Sequence, residues 1–223
     1  MESFERTEKK YVLEAEQYNY IKQNIQSYVD KDEFYQYKIN SLYYDTDSYE
    51  LIRRSIEKPK YKEKLRIRCY NEPDEQVHIE FKKKYDKIVY KRRTKVNYHD
   101  ALNDIKTCEY ADKQIGNEIK YALAYYGSLK PAIFVSSERI SYKGKQDNSL
   151  RITFDDKLKY RMKNLSLSNN KDDKDITKKI IMEIKVNKAF PLWLSKILDE
   201  AKAYPQGFSK VGTAYLNELK EAK

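Results

Sequence analysis

Residues 65–69 read Leu65-Arg66-Ile67-Arg68-Cys69, five positions at which apolar and cationic side chains alternate. Successive side chains of a β-strand point to opposite faces of its sheet. The stretch therefore predicts a strand with two chemically different faces. Leu65, Ile67 and Cys69 form the apolar face, and Arg66 and Arg68 form the charged face.

The same alternation recurs in other parts of the chain. It is found at residues 8–10, in Ile79-Glu80-Phe81-Lys82, in Arg151-Ile152-Thr153-Phe154-Asp155 and in Met182-Glu183-Ile184-Lys185-Val186. A half-exposed antiparallel sheet would explain any one of these strands, with its charges in water. The repetition makes that reading less favourable, and a sheet of the predicted size, about eight strands, tends to curl and close on itself.

The chain also predicts at least three amphipathic helices, which need apolar surface to cover. If these helices pack outside, the charged strand faces line an interior. The side chains predicted there are Lys10, Arg66, Arg68, Lys82, Lys91, Arg93, Arg139, Arg151 and Lys185, with Glu8, Glu80, Asp155 and Glu183. Buried like charges are costly unless they are paired, so the surplus of cations calls for an anion. The carboxylates suit a hard divalent cation that bridges to phosphate oxygens.

The predicted fold is one α+β domain over residues 1–223, a closed, mainly antiparallel eight-stranded β-barrel with helices packed outside. The strands are predicted at Thr7–Leu13, Lys38–Asp45, Lys64–Tyr70, Val77–Lys83, Lys87–Val96, Pro131–Tyr142, Leu150–Lys157 and Lys179–Val186. Helices are predicted over Glu14–Val29, Tyr98–Tyr126, Pro191–Ala203 and Thr213–Lys220. The polar segment Asn164–Asp175 predicts a mobile loop.

Composition narrows the class of ligand. The formal net charge is +10, which favours anionic partners such as nucleotides, phosphate polymers, nucleic acid or acidic lipid. There is no GxxxxGK[ST] loop, so a bound nucleotide would have to be held by side-chain cations. Met1 leads straight into charged residues, and there is no run of about 18 apolar residues, so neither a signal peptide nor a transmembrane helix is predicted. A cytoplasmic location is expected, and a membrane-bound partner stays open.

Taken in order, the motifs resemble those of the triphosphate tunnel metalloenzymes. Within that superfamily they resemble the VTC domain of vacuolar-transporter-chaperone-type polyphosphate polymerases, because the first motif begins with Arg6, where CYTH relatives begin with Glu. The motifs are Arg6-x-Glu8-x-Lys10, Ser41-Leu42-Tyr43-Tyr44-Asp45-Thr46, Lys64-Leu65-Arg66-Ile67-Arg68, Glu80-Phe81-Lys82, Lys91-Arg92-Arg93, Glu138-Arg139, Arg151-Ile152-Thr153-Phe154-Asp155, Glu183-Ile184-Lys185 and Phe208-Ser209-Lys210. The resemblance spans nearly the whole chain.

The resemblance assigns roles position by position. It implies that phosphates of ATP or of the polymer contact Lys10, Arg66, Arg68, Lys82, Arg139, Arg151, Lys185 and Lys210, with Lys91 and Arg93 also binding ATP. It implies a Mn²⁺ or Mg²⁺ site with Glu183 as the principal ligand and with Glu8, Glu80 and Asp155 as further candidates. It does not make Asp45 catalytic.

The activity implied is that of an ATP-dependent inorganic polyphosphate polymerase. Two alternatives stay open: a metal-dependent triphosphatase of the same fold and a non-catalytic polyphosphate-binding accessory subunit. Two departures from the family pattern keep the second alternative open, because Ser137 stands where the family commonly has Tyr, and Val211 stands where it usually has an aromatic residue. Nucleic-acid binding is not expected, because scattered tyrosines more often mark partly buried helix faces than stacking platforms.

Overall fold

The computed structural model of the chain describes residues 7–86, 88–103, 105, 113–187 and 189–221. The described residues form nine strands and six helices. The strands are β1 (Thr7–Leu13), β2 (Val29–Asp45), β3 (Tyr61–Tyr70), β4 (Gln76–Tyr85), β5 (Ile88–Asn97), β6 (Lys130–Gly144), β7 (Arg151–Arg161), β8 (Lys174–Thr177) and β9 (Ile180–Val186). The helices are α1 (Ala15–Asn24), α2 (Glu50–Glu57), α3 (Tyr98–Asn103), α4 (Lys113–Tyr125), α5 (Leu192–Glu200) and α6 (Lys210–Glu221).

All eight predicted strands are present, and β1 has the predicted bounds. The long predicted helix over Tyr98–Tyr126 is represented by α3 and α4, and residue 104 and residues 106–112 between them lie outside the described part of the chain. Residue 87, the predicted start of β5, also lies outside it. Helix α2 and strand β8 were not predicted, because their eight and four residues are fewer than the roughly 11–18 residues over which periodicity is a dependable signal.

The strands form one sheet in the order β1-β9-β7-β6-β2-β3-β4-β5, with β8 beside β7. The neighbours β1/β9, β7/β9, β2/β3, β3/β4 and β4/β5 are antiparallel. Among the described strands, β1 and β5 are the two ends of the order and do not pair with each other. The prediction of a closed eight-stranded barrel is therefore wrong. Side-chain alternation reports which face of a strand is apolar, whereas closure depends on tilt and stagger, which alternation does not encode.

The chain divides into two compact units. The described residues of the first unit are 7–37, 137–158, 177–187 and 189–208; the second unit contains those of 38–136, 159–176 and 209–221. The assignment of residues 1–223 to one domain stays a prediction. No helix among the described residues is both long and apolar enough to cross a membrane.

In the first unit, the apolar faces of β1, β7 and β9 pack against α1 and α5. Phe154 and Ile184 from the strands are buried in one core with Ile21 from α1 and Leu194 from α5. The prediction that helices cover the apolar strand faces is confirmed for this unit. The opposite faces of the same strands carry Glu8, Lys10, Glu183 and Lys185.

In the second unit, the apolar faces of β2, β3 and β4 pack against α4. Ile67 and Phe81 lie in one core with Ile119 and Leu123 of the helix. This confirms the predicted apolar face of residues 65–69 and leaves Arg66 and Arg68 on the other face.

Asp45, at the end of β2, caps the start of α2. Its carboxylate accepts hydrogen bonds from the backbone N–H groups of Thr46 and Leu51 at 2.8 and 2.9 Å and of Ile52 at 2.8 Å. The side chain is fully buried, so it satisfies donors that would otherwise have no partner at a helix start. This explains why Asp45 is a structural residue of its motif.

The polar segment predicted as a mobile loop is held by Arg161. Its guanidinium is buried, stacks on the ring of Phe134 at 4.1 Å and pairs with Asp173 at 2.7 Å. It also donates hydrogen bonds to the backbone oxygens of Asn164 at 3.0 Å and Ser168 at 2.9 Å. One buried cation thus organises the segment. Nothing in the sequence around Arg161, the last residue of β7, distinguishes it from an exposed arginine.

We predict that Arg161→Ala lowers the free energy of unfolding by about 3–5 kcal/mol, because it leaves the Asp173 carboxylate buried without its partner. Urea denaturation measures this loss, and limited proteolysis should show new cleavage between residues 164 and 173. Lys163→Ala, at an exposed position two residues away, is the control and should match the wild type. Unchanged stability and protease resistance in Arg161→Ala would contradict this account of the segment.

Candidate functional site

The charged face of the second unit brings four cations to one carboxylate. Arg66 donates from Nε to Glu80 Oε2 at 2.8 Å, and Arg68 Nη1 lies 3.6 Å from the same oxygen. On the other oxygen, Oε1, Lys91 Nζ lies at 3.2 Å and Arg93 Nε at 3.8 Å. We call Arg66, Arg68, Lys91 and Arg93 with Glu80 the cationic cluster. Sheet register creates it, because Arg66 and Arg93 are the partners of Glu80 on the two flanking strands.

The cluster carries more positive charge than its carboxylate can neutralise. Four cations less one carboxylate leave a formal excess of three positive charges. Burial opposes ionisation of Glu80, but the surrounding cations outweigh it and hold its pKa far below the usual range. The pKa of Arg68 is lowered by burial and by the neighbouring charge of Arg66. The face is therefore preorganised for an anion with several negative charges.

Tyr43 contacts the cationic cluster and was not predicted as a site residue. Arg66 Nη1 donates a hydrogen bond to the Tyr43 hydroxyl at 2.6 Å, and the two residues are register partners on β2 and β3. Burial alone would raise the pKa of Tyr43, but Arg66, Arg68 and Lys64 lower it from 10.0 to about 7. Near neutral pH its hydroxyl is therefore partly ionised. The sequence feature that could have identified Tyr43 is the motif Tyr43-Tyr44-Asp45, whose residues were predicted to be structural.

Two further predicted cations lie in the same unit. Lys82 is half-buried and faces the same side, as the register partner of Lys91 and of Lys64. Lys210 is the first residue of α6 and is also half-buried. Lys64, which was not predicted as a ligand, approaches the Ser209 hydroxyl at 3.3 Å.

The charged face of the first unit brings carboxylates and cations together in near balance. Glu183 is half-buried and lies opposite Lys10 on β1, and Glu8 lies opposite Lys185. Lys185 Nζ is 3.2 Å from Glu183 Oε2, and the Glu8 and Glu183 carboxyl groups are hydrogen-bonded. Burial raises the pKa of Glu183, but this bond, Lys185 and Lys10 lower it to about 2.

The two predicted arginines of this unit are each held by an aspartate. Arg139 Nη2 donates to Asp155 Oδ2 at 2.7 Å, and its Nε donates to the other oxygen at 2.5 Å. This bidentate pair raises the pKa of Arg139 above its ordinary value, in spite of burial. Arg151 is exposed and pairs with Asp32 at 2.9 Å. Asp32, from the long strand β2, was not predicted to take part.

The four predicted metal ligands divide between the units. Glu80 lies in the second unit among cations, and Asp155 is engaged by Arg139. Glu8 and Glu183 remain as an adjacent pair of carboxyl groups, next to which Thr153 is the register partner of Glu183. The Thr153 hydroxyl is buried and has no hydrogen-bond partner among the described residues. Within that same part of the chain, no group of three or more His, Cys, Asp or Glu residues could hold a metal ion.

Two carboxylates are nevertheless a donor set that suits Mg²⁺ or Mn²⁺. Mg²⁺ is commonly bound by one or two carboxylates, with its other positions taken by water and phosphate oxygens. The hydroxyl of Thr153 would be a partner for such a water. The pair Glu8 and Glu183 therefore fits the implied metal, and the assignment of all four carboxylates stays a prediction.

Ser137 is buried in β6, and Val211 is buried in α6, so both departures from the family pattern lie in regular structure. Arg6, the start of the first motif, lies outside the described residues.

We predict that one of the 22 tyrosines ionises near pH 7 and that Tyr43→Phe abolishes this step. The phenolate absorbance in the ultraviolet measures the ionisation, with Tyr121→Phe on the exposed face of α4 as the control. Because the pKa in the folded state is depressed, ionised Tyr43 stabilises the fold. That stabilisation is complete above the ordinary pKa near 10 and is lost as the pH falls through about 7. A bound polyanion should raise this pKa, so added tripolyphosphate should shift the step to higher pH. A wild-type titration with no such step would contradict the prediction.

The fold resembles that of a Bacillus halodurans protein described as a candidate adenylate cyclase. The two share 14% sequence identity, the match covers 91% of this chain and 92% of that protein, and the TM-score is 0.54. A Pyrococcus horikoshii OT3 protein matches with 17% identity over 98% of this chain and 99% of its own, at a TM-score of 0.48. At these identities the Bacillus structure shows a shared fold, and the second, at its lower TM-score, adds no argument. Among curated proteins there is no match to the chain.

The model of the VTC domain family matches residues 5–217. The match spans both units and every motif that suggested the resemblance, from the strand with Glu8 and Lys10 to Lys210 in α6. This chain therefore belongs to the VTC domain family.

Proposed function

We propose that the chain is an ATP-dependent inorganic polyphosphate polymerase. The observation that carries the proposal is the cationic cluster, in which Glu80 offsets one of four positive charges. A row of phosphates supplies the missing negative charge in a form that arginine forks and lysine ammonium groups bind well. Membership of the VTC domain family supports a polyphosphate substrate, and we expect the chain to act in the cytoplasm.

The reaction transfers the γ-phosphoryl group of ATP to the terminal oxygen of a phosphate chain. A new P–O bond forms at that oxygen, the bond between the γ-phosphorus and the β–γ bridging oxygen breaks, and ADP leaves with the electron pair. Such a transfer depends on in-line positioning and on neutralising charge on the equatorial oxygens, and requires no protein nucleophile. The guanidinium groups of Arg66 and Arg68 are fixed by Glu80 and by Ser41, so they bind anions without reorganising.

Glu8 and Glu183 would hold the divalent metal. When bound, Mg²⁺ or Mn²⁺ would neutralise charge on the phosphate oxygens it touches. The residues of this chain around that pair have their own tasks. The hydrogen bond with Glu8 and the charges of Lys185 and Lys10 outweigh burial and lower the pKa of Glu183 to about 2, so Glu183 stays ionised, and Asp155 holds the Arg139 guanidinium in one orientation.

Tyr43 gives the cluster a reversible charge. In the free protein the partly ionised hydroxyl offsets part of the charge of Arg66. An arriving phosphate would compete for that cation and favour the protonated hydroxyl, which can then donate a hydrogen bond to a phosphate oxygen.

The test is to incubate the purified chain with ATP and Mn²⁺ or Mg²⁺, with and without a short polyphosphate primer. Gel electrophoresis resolves the polymer, and coupled assays measure ADP and orthophosphate. We expect ADP together with a lengthening polymer, and a loss of roughly 100-fold or more in Arg66→Ala and in Lys91→Ala. Lys91 is about half exposed, so this variant is expected to fold. Arg53→Ala, an exposed position on α2, is the matched control.

The other outcomes assign other functions. Orthophosphate without polymer would show a triphosphatase, in which water replaces the phosphate chain as acceptor. Primer binding without turnover, weakened by Lys91→Ala, would show an accessory binding subunit. Failure of the wild-type chain to bind ATP or polyphosphate would overturn the assignment of the cationic cluster.

We also predict that Glu183→Gln weakens Mn²⁺ binding about tenfold or more, because it removes the ionised carboxylate of the pair. The electron paramagnetic resonance signal of free Mn²⁺ measures binding without any turnover. Glu138→Gln, in the same unit but paired with Lys157, is the control. Equal Mn²⁺ affinity in the wild type and in Glu183→Gln would place the metal elsewhere.

A further inference from the structure

The hairpin formed by β4 and β5 ends in a group of exposed apolar and aromatic side chains. The exposed fractions are 59% for Tyr85, 56% for Ile88, 46% for Val89 and 55% for Tyr90. We call these four residues the hairpin tip. They lie beyond the part of the sheet whose apolar face is buried against α4, where Phe81 is 1% exposed. Single exposed apolar residues are common, but a contiguous group of large ones indicates an interaction site.

The sheet register orders these side chains along the hairpin. Tyr85 and Ile88 form the outermost pair, followed by Lys84 with Val89 and then by Lys83 with Tyr90. On the neighbouring strand β3, Tyr61 stands opposite Tyr85 and is 40% exposed. Tyr61, Tyr85, Ile88 and Tyr90 therefore share one face of the hairpin, and Val89 lies with Lys84 on the other face, so apolar side chains occupy both faces of its end.

Lysines surround the same end of the second unit. Lys62 is the register partner of Lys84, and Lys58 and Lys60 precede β3 in exposed positions. The pKa of Lys62 is lowered by burial and then by the positive charges of Lys84 and Lys58, so these lysines are close enough to repel one another. Carboxylates also lie at this end, and the exposed Glu57 directly precedes Lys58. Glu63 is buried and accepts hydrogen bonds from Tyr61 and Tyr126, whereas Asp86 in the turn adds one exposed negative charge.

From this arrangement we infer that the hairpin tip is a docking surface for an anionic lipid bilayer. Ile88, Val89 and the ring of Tyr85 reach the acyl boundary, Tyr61 and Tyr90 lie at the headgroup level, and the lysines contact lipid phosphates. This is the order in which a bilayer presents its layers: hydrocarbon, interface and charge. Clusters of lysines next to an apolar anchor are attracted to acidic lipids.

Two other occupants fit less well. A single-stranded nucleic acid would gain from stacking on the tyrosines, but Ile88 and Val89 offer no aromatic face to its bases. A second copy of the chain could pair with β5, which lies at one end of the strand order. Symmetric antiparallel pairing there would set the cations of β5 against those of the second copy, and like charges across a strand pair are unfavourable. The charge of the surface therefore favours the bilayer.

The experiment is co-sedimentation of the full chain with vesicles of phosphatidylcholine alone and with added phosphatidylserine. We expect binding to the mixed vesicles that weakens with salt and is at least about tenfold weaker with phosphatidylcholine alone. The double variant Ile88→Ser/Val89→Ser and the double variant Lys60→Glu/Lys84→Glu should each lose about tenfold or more of that binding. Leu192→Ser, at an 89% exposed position of the first unit, is the matched control and should bind as the wild type does.

A direct readout complements sedimentation. Ile88→Trp should show a blue shift of its emission with mixed vesicles and quenching by brominated lipids, above the background from Trp193, the one tryptophan of the chain. Tripolyphosphate binding should be unchanged in Ile88→Ser/Val89→Ser and in Leu192→Ser, and the urea unfolding transition of Lys60→Glu/Lys84→Glu should match the wild type, which confirms that each variant is folded. No wild-type binding, equal binding by both double variants, or self-association lost in Ile88→Ser/Val89→Ser by sedimentation velocity would overturn the inference. The last of these would assign the surface to a second copy.

Discussion

The arrangement of this protein depends on one constraint, the alternation of side chains along its β-strands. An amphipathic helix buries apolar side chains only if the strands beneath it turn those side chains towards it. In both units that condition places Leu, Ile, Phe and Met under helices, and it places arginine, lysine and glutamate on the opposite face. The charged faces are therefore not an independent feature. They follow from the same periodicity that builds the hydrophobic cores.

The two charged faces differ in their balance of cations and carboxylates. In the second unit, the one carboxylate of Glu80 is surrounded by three arginines and Lys91, which leaves a formal excess of positive charge on that face. In the first unit, carboxylates and cations nearly balance, with Arg139 held by Asp155 and Lys185 beside Glu183. An excess of fixed cations is suited to binding phosphate. Two adjacent carboxyl groups, with their charge nearly balanced by neighbouring cations, are suited to binding a divalent ion. Both features are consistent with the family to which the chain belongs.

Electrostatic surroundings also decide the behaviour of single residues. Tyr43 is an ordinary tyrosine by sequence, yet three neighbouring cations bring its pKa to about 7. Arg161 is one of many cations by sequence, yet as the buried centre of a polar segment it orders what composition alone would class as a loop. At the hairpin tip, neighbouring strands have a comparable influence. The tyrosines and lysines there form one surface only because β3, β4 and β5 lie side by side.

By itself, the sequence determined the strands, the face on which each charged residue lies, and the family. These are local properties, since a period of two residues and the order of motifs can be read along the chain. The alternation of side chains alone is thus enough to assign Arg66, Arg68, Glu80 and Glu183 to charged faces. Only the tertiary structure decided that the sheet is open and that four cations surround Glu80. It also decided that Tyr43 contacts Arg66 and that Asp32 pairs with Arg151. Each of these depends on register and on edge pairing between strands far apart in the chain, and on the burial that results. Alternation cannot specify them, because it records the direction of a side chain but not the neighbour that it meets.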